Sequence, residues 1–132
     1  DFYGGELGIQ GTRSAESLKL WIGLRQLGED GIEKILIESI KKRRYIESII
    51  DTSKFKIISG PLHLLSFTPV NYTSSQALEW SIKTRNSLLA NKFMLSRPMY
   101  GNRYYLKAVM GNPNTKFDDL KNLANLINHS IV

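Results

Sequence analysis

Residues 55–70 decide the fold. Phe55-Lys56-Ile57-Ile58-Ser59 is a short run rich in β-branched and aromatic residues. Gly60-Pro61 follows as a turn, and His63-Leu64-Leu65-Ser66-Phe67-Thr68-Pro69-Val70 is a second run. Two such runs separated by Gly-Pro read as two strands. Proline has no N–H to give a ladder, so Pro69 ends the second strand or lies at an edge.

Working outward toward the C-terminus, the spacing turns helical. Ser74-Ser75 opens a helix with Ala77, Leu78, Ile82, Leu88 and Leu89 as its apolar stripe. Phe93 to Arg97 reads as a strand, Pro98-Met99-Tyr100-Gly101-Asn102 as a turn, and Tyr104 to Met110 as another strand. Asn112-Pro113-Asn114-Thr115 closes it. Thr115 is the expected cap of a last helix that runs to about His129 and carries Phe117, Leu120, Leu123, Leu126 and Ile127.

Toward the N-terminus, Leu18, Trp21, Ile22, Leu24 and Leu27 predict a helix that Gly28 stops. A second helix restarts at Asp30 or Gly31, with Ile32, Ile35, Leu36, Ile40, Ile46, Ile49 and Ile50 as its stripe to about Asp51. Gly4, Gly5, Gly8 and Gly11 mark an irregular loop before both. Two helices then precede ββαββα. The predicted class is α+β, with a mainly antiparallel sheet covered by helices on one face. Residues 1–52 are expected to form the loop and two helices, and residues 53–132 a small α+β domain.

Composition narrows the function. The chain has 132 residues, 42% of them hydrophobic, enough to build a core. It has no cysteine, which excludes disulfides, thiolate nucleophiles and Cys-ligated zinc. His63 and His129 are the only histidines, so a His-rich metal site is not expected. No apolar run approaches the ~20 residues that span a bilayer, and no export signal is visible. Together these favour the cytoplasm and no membrane partner. The net charge of +6 permits an anionic partner without demanding one.

Several local features carry both a bland and a chemical reading. Lys41-Lys42-Arg43-Arg44 suits phosphate, but a helix fans four consecutive residues over roughly 300°, so a solvated helix turn is preferred. His63 reads as a satisfied, partly buried histidine, and His129 as a favourable charge at a helix C-terminus. Asn71-Tyr72-Thr73 and Asn128-His129-Ser130 match the glycan acceptor triplet, which chance produces often. Gly11-Thr12-Arg13-Ser14 joins backbone donors, two hydroxyls and a guanidinium ahead of a helix, an arrangement suited to an anion.

Two segments taken together resemble a known family. One is Gly11-Thr12-Arg13-Ser14-Ala15-Glu16-Ser17-Leu18-Lys19-Leu20-Trp21, continuing to Leu27-Gly28-Glu29-Asp30-Gly31. The other is Tyr105-Leu106-Lys107-Ala108-Val109-Met110-Gly111-Asn112-Pro113-Asn114-Thr115. In this order and spacing the chain resembles the C-terminal third of the group II pyridoxal-phosphate-dependent amino acid decarboxylases. These act on glutamate, aromatic amino acids, tyrosine or 2,4-diaminobutyrate.

The resemblance implies the small C-terminal domain of the aspartate-aminotransferase-like fold. It implies pyridoxal 5'-phosphate held mainly by an upstream domain, a homodimer, and a small amino acid substrate. Thr12, with Gly11 and Arg13, would reach the cofactor phosphate of the neighbouring subunit. Lys107 falls where many relatives place an arginine that binds the substrate carboxylate. The Schiff-base lysine of the family sits in a His-Lys pair, and these residues contain none. With Asp1 in place of Met, the chain is read as a fragment without decarboxylase activity of its own, and no catalytic residue is assigned to it. The rival reading is a stand-alone basic α+β module that binds nucleic acid or a protein partner.

Overall fold

The computed structural model describes residues 16–131. The chain divides into two compact units between Glu33 and Lys34. The elements are α1 (Glu16–Ile49), β1 (Phe55–Ser59), β2 (Leu64–Pro69), α2 (Ser74–Ala90), β3 (Met99–Tyr100), β4 (Arg103–Tyr104), β5 (Leu106–Val109) and α3 (Phe117–Asn128). No described helix is long and apolar enough to cross a membrane.

In the first unit, Gly28 breaks the helical geometry of α1 at φ 65° and ψ −177°. Only glycine reaches that φ cheaply, which is why one helix ends there and a second begins. Leu18, Leu20, Trp21, Ile22, Leu24 and Leu27 spread around the helix, and each is at least 45% exposed. Ser14 and Ala15 lie outside the described residues.

The second unit is the α+β layer. β1 and β2 pair antiparallel from Phe55↔Pro69 to Ser59↔Leu65, and β2 pairs β5 antiparallel from Leu64↔Val109 to Phe67↔Leu106. The sheet order is therefore β1-β2-β5. A bridge at Ser96↔Lys107 lays a further segment along the free side of β5, in the same register as the β3–β4 hairpin. The expected strand from Phe93 to Arg97 is reduced to this one bridge, and Pro98 beyond it has no N–H to pair, though its carbonyl accepts from Tyr105 N at 3.0 Å. The expected turn of residues 98–102 is shorter than the sequence suggested. Met99 and Tyr100 stay extended, and only Gly101 and Asn102, at φ 54° and 58°, turn the chain. Two successive positive φ values give the mirror-type hairpin turn that matches strand twist.

Alternation sorts the sheet's side chains. Leu65 and Phe67 of β2 and Leu106 and Ala108 of β5 are buried with α2, α3 and the end of α1. Phe67 stands edge-on to Phe55 at 6.0 Å and to Trp80 at 6.2 Å, joining β1, β2 and α2. The stripe of α2 differs from the expected one: Ala77, Trp80, Ser81, Thr84 and Leu88 are buried, while Ile82 and Leu89 are exposed. Trp80 wins its place because its indole N–H donates to Ser130 Oγ at 2.9 Å, so burial leaves no polar atom unpaired. Thr73 caps α2: its hydroxyl accepts from Gln76 N at 3.3 Å, and Gln76 Oε1 accepts from Thr73 N at 2.8 Å. Lys116, not Thr115, is the N-cap of α3, with Asp119 Oδ2 accepting from its backbone N–H at 2.9 Å.

The corner between α1 and β1 is tied to α3 by Asn128. Its side chain donates to Ile49 O and accepts from Asp51 N, each at 2.9 Å. Asp51 in turn accepts from the Ser53 hydroxyl and backbone N–H, which hold its carboxyl below the usual aspartate range. A lowered carboxyl pKa adds stability that is present at neutral pH and is lost as pH falls through the lowered value. Ser53→Ala removes the largest cause. The Asp51 titration midpoint, followed by side-chain carboxyl NMR, is expected to rise; an unmoved midpoint would contradict this assignment.

Candidate functional site

Lys107 lies on β5 between β2 and the segment bridged at Ser96, so both of its cross-strand neighbours are defined. Ser66 of β2 stands opposite it on one side and Ser96 on the other. Because Leu106 and Ala108 point into the helical side, Lys107 projects from the open face of the sheet and is half-buried. Ile58, Leu64 and Val109 share that open face by register and are 39–54% exposed. A cation thus sits on a face edged by apolar side chains.

Gly11, Thr12 and Arg13 lie outside the described residues. The structure therefore gives a place to Lys107 alone among the residues proposed to touch cofactor or substrate.

Three arginines near this face are engaged in the fold. Arg85 Nε donates to Leu95 O and Arg97 Nε to the buried Ser81 hydroxyl, each at 3.0 Å. Arg97 also stacks 5.2 Å from the Tyr104 ring. Arg103 donates to Thr68 Oγ1 and Pro69 O. These three side chains pin the β3–β4 hairpin and its flanks to α2 and β2.

The basic run 41–44 corrects the reading of a solvated turn. Lys41 stays outside and pairs with Glu38 at 2.6 Å, which lowers the Glu38 carboxyl pKa. Lys42 and Arg43 are buried. Lys42 Nζ donates to Asn112 O at 2.9 Å and Pro113 O at 3.2 Å, and Arg43 donates to Leu62 O and to Glu47. The signal available in the sequence was their spacing from Ser39, Ile46 and Ile50, which puts them on the buried stripe.

His63 is half-buried just before β2. Its Nδ1 is buried without a hydrogen-bond partner among the described residues, so the expected satisfied histidine is not what the fold provides. His129 is the C-cap residue of α3, with Nδ1 2.7 Å from Asn125 O. Both glycan-like triplets serve the fold, through the Thr73 cap and through the Asn128 and Ser130 bonds. One concavity, about 1000 Å³, runs between α2 and α3 past Lys83, Asn91, Asn122 and His129, and another of about 420 Å³ lies over Lys42. Lys107 lines neither of these two concavities and stands on the sheet face.

Comparison with known proteins gives this geometry a context. No family model matches the chain. It is 25% identical over 118 residues to an L-2,4-diaminobutyrate decarboxylase of Rhizobium meliloti (strain 1021), covering 86% of this chain and 24% of that protein. The structure of Oryza sativa TDC with PLP and tryptamine superposes with a TM-score of 0.74 at 17% identity, covering 89% of this chain and 27% of that one. The glutamate decarboxylase domain of a diaminobutyrate-pyruvate transaminase and L-2,4-diaminobutyrate decarboxylase from Vibrio parahaemolyticus gives 0.66 at 18% identity, covering 87% and 25%.

The chain resembles the group II pyridoxal-phosphate-dependent decarboxylases. Its α+β fold is that of a part of these enzymes, as the sequence resemblance implied. The chain spans about a quarter of the length of the curated relative it matches.

Proposed function

We propose that these residues form the C-terminal part of a pyridoxal-phosphate-dependent L-amino acid decarboxylase of the 2,4-diaminobutyrate type. The observation that carries the reading is Lys107. It stands on the open face of the sheet, in a fold shared with decarboxylases, at the position where the resemblance puts a carboxylate-binding cation. The type rests on the likeness to the Rhizobium meliloti protein.

Pyridoxal phosphate, when bound, supplies the electron sink that takes up the pair left behind as CO2 departs. The donor set described here fits a substrate carboxylate. Lys107 would attract the carboxylate and hold its direction, so its contribution is to binding and orientation. As a lysine it offers a point charge without the planar fork of an arginine. Gly11, Thr12 and Arg13 would hold the cofactor phosphate of the neighbouring subunit in a homodimer. The segment with the Schiff-base lysine is not among these residues, and on their own they would not decarboxylate. The rival nucleic-acid reading loses its main support, because Lys42 and Arg43 of the basic run are buried and spent on the fold.

The test uses the longer chain that carries this segment, purified with pyridoxal phosphate. CO2 release is measured with L-2,4-diaminobutyrate, L-glutamate and an aromatic L-amino acid. Release from the first is expected, with KM raised about 10- to 100-fold in Lys107→Ala, the loss of one charged hydrogen bond. No release from any amino acid would overturn the proposal.

A further inference from the structure

We infer that Ser66 and Ser96 complete the site of Lys107, so that one ammonium and two hydroxyls in a row across β2, β5 and the segment bridged at Ser96 form a single carboxylate cradle. This rests on the reading of Lys107 as the carboxylate-binding residue.

The ladder builds the row. Lys107 N donates to Ser96 O at 2.9 Å, and Ser96 N donates to Lys107 O at 3.2 Å. A residue in an antiparallel ladder directs both of its backbone groups to the same neighbour. Ser66↔Lys107 is therefore the non-hydrogen-bonded kind of pair, in which side chains lie closer, with Cα atoms about 4.5 Å apart. Residues directly opposite put their side chains on one face. All three then project from the face away from α2 and α3.

The three side chains are uncommitted. None makes a hydrogen bond or ion pair among the described residues. On the same face the Thr68 hydroxyl is spent, donating to Tyr104 O and accepting from Arg103, while Lys56 opposite it on β1 makes no hydrogen bond among the described residues. Ser39, Ser48, Ser81 and Ser130 each donate to a carbonyl three residues back. Ser96 is exposed and Ser66 and Lys107 are half-buried, so an incoming anion can displace water from two hydroxyls and one ammonium in a row. A carboxylate has two oxygens and about four lone-pair sites, which suit three donors on one face. The hydroxyls supply the extra donors that an arginine fork would have carried by itself. Leu64 and Val109 form the next row of the same face and are exposed.

The longer chain with pyridoxal phosphate provides the test. Ser66→Ala and Ser96→Ala are each expected to raise KM for the amino acid about 3- to 10-fold with kcat nearly unchanged, the weight of one neutral-to-charged hydrogen bond. Ser66→Thr should restore most of the loss. In a Lys107→Arg background the same alanine changes should cost less than about twofold, because the fork replaces the hydroxyls. A merely structural serine would lower kcat and thermal stability alike in both backgrounds, and that result would overturn the cradle. A weakened affinity for pyridoxal phosphate with KM unmoved would overturn it too, by assigning the row to the cofactor phosphate. If Lys107→Ala raises KM and the double serine variant does not, the cradle falls and Lys107 keeps its role. If Lys107→Ala leaves KM unmoved, the underlying reading falls with it.

Discussion

Phe67→Ala is expected to lower the unfolding free energy by about 3–5 kcal/mol, the usual cost of removing a fully buried phenylalanine. Phe67 is 0% exposed and lies at the middle of the sheet, between Phe55 of β1 and Trp80 of α2. Truncation removes the ring's transfer term and leaves a cavity whose walls are two other rings. Those rings cannot collapse into it without breaking their own contact at 5.7 Å. The loss is a large part of the roughly 5–15 kcal/mol that holds a typical domain. It should appear as a fall in Tm of roughly 12–20 °C in circular dichroism melts. Phe67→Leu keeps most of the volume and should cost less than about 2 kcal/mol. Equal losses in the two variants would show that the aromatic packing is not what the position provides.

Lys42→Ala is the second large effect, expected at about 3 kcal/mol. The Lys42 ammonium satisfies the carbonyls of Asn112 and Pro113, the loop that leaves β5 toward α3. Each hydrogen bond from this charged donor is worth about 1.5–3 kcal/mol. The ammonium itself was costly to bury, which offsets part of that sum. Lys42→Met separates the two contributions, since it keeps the apolar stem and deletes only the charge and its bonds. It should recover about half of the loss in chemical denaturation, and hydrogen exchange should quicken in residues 112–115. A Met variant as stable as the parent would mean that desolvation fully offsets both hydrogen bonds.

Much of the architecture was legible from local pattern. The strands around Gly60-Pro61, the break at Gly28 and the final helix all follow from residue spacing and from the few residues that punctuate it. The errors sit where a side chain is chosen by a distant partner. Trp80 displaced Ile82 from the buried stripe of α2 because Ser130 waited to accept its N–H. Thr115 lost the cap of α3 to Lys116, where Asp119 could reach back. The capping pair Thr73 and Gln76 was readable and was passed over for Ser74-Ser75.

The site divides in the same way. The identity of Lys107 as a residue of interest came from the sequence, through the segment that resembles the decarboxylases. Strand alternation alone would place it opposite Leu106 and Ala108. The two serines beside it were invisible until the register was known. Ser66 and Ser96 come from different parts of the chain, and a shift of one residue on either strand would turn them to the other face. The same holds for the basic run, a line of four cations whose middle pair is buried because carbonyls of two remote loops face it. Periodicity and turn chemistry act between residues a few positions apart, so the sequence by itself determined the elements and their order. Register and burial are settled between residues far apart in the chain, so only the tertiary structure decided which polar groups are spent on the fold and which stand free on its open face.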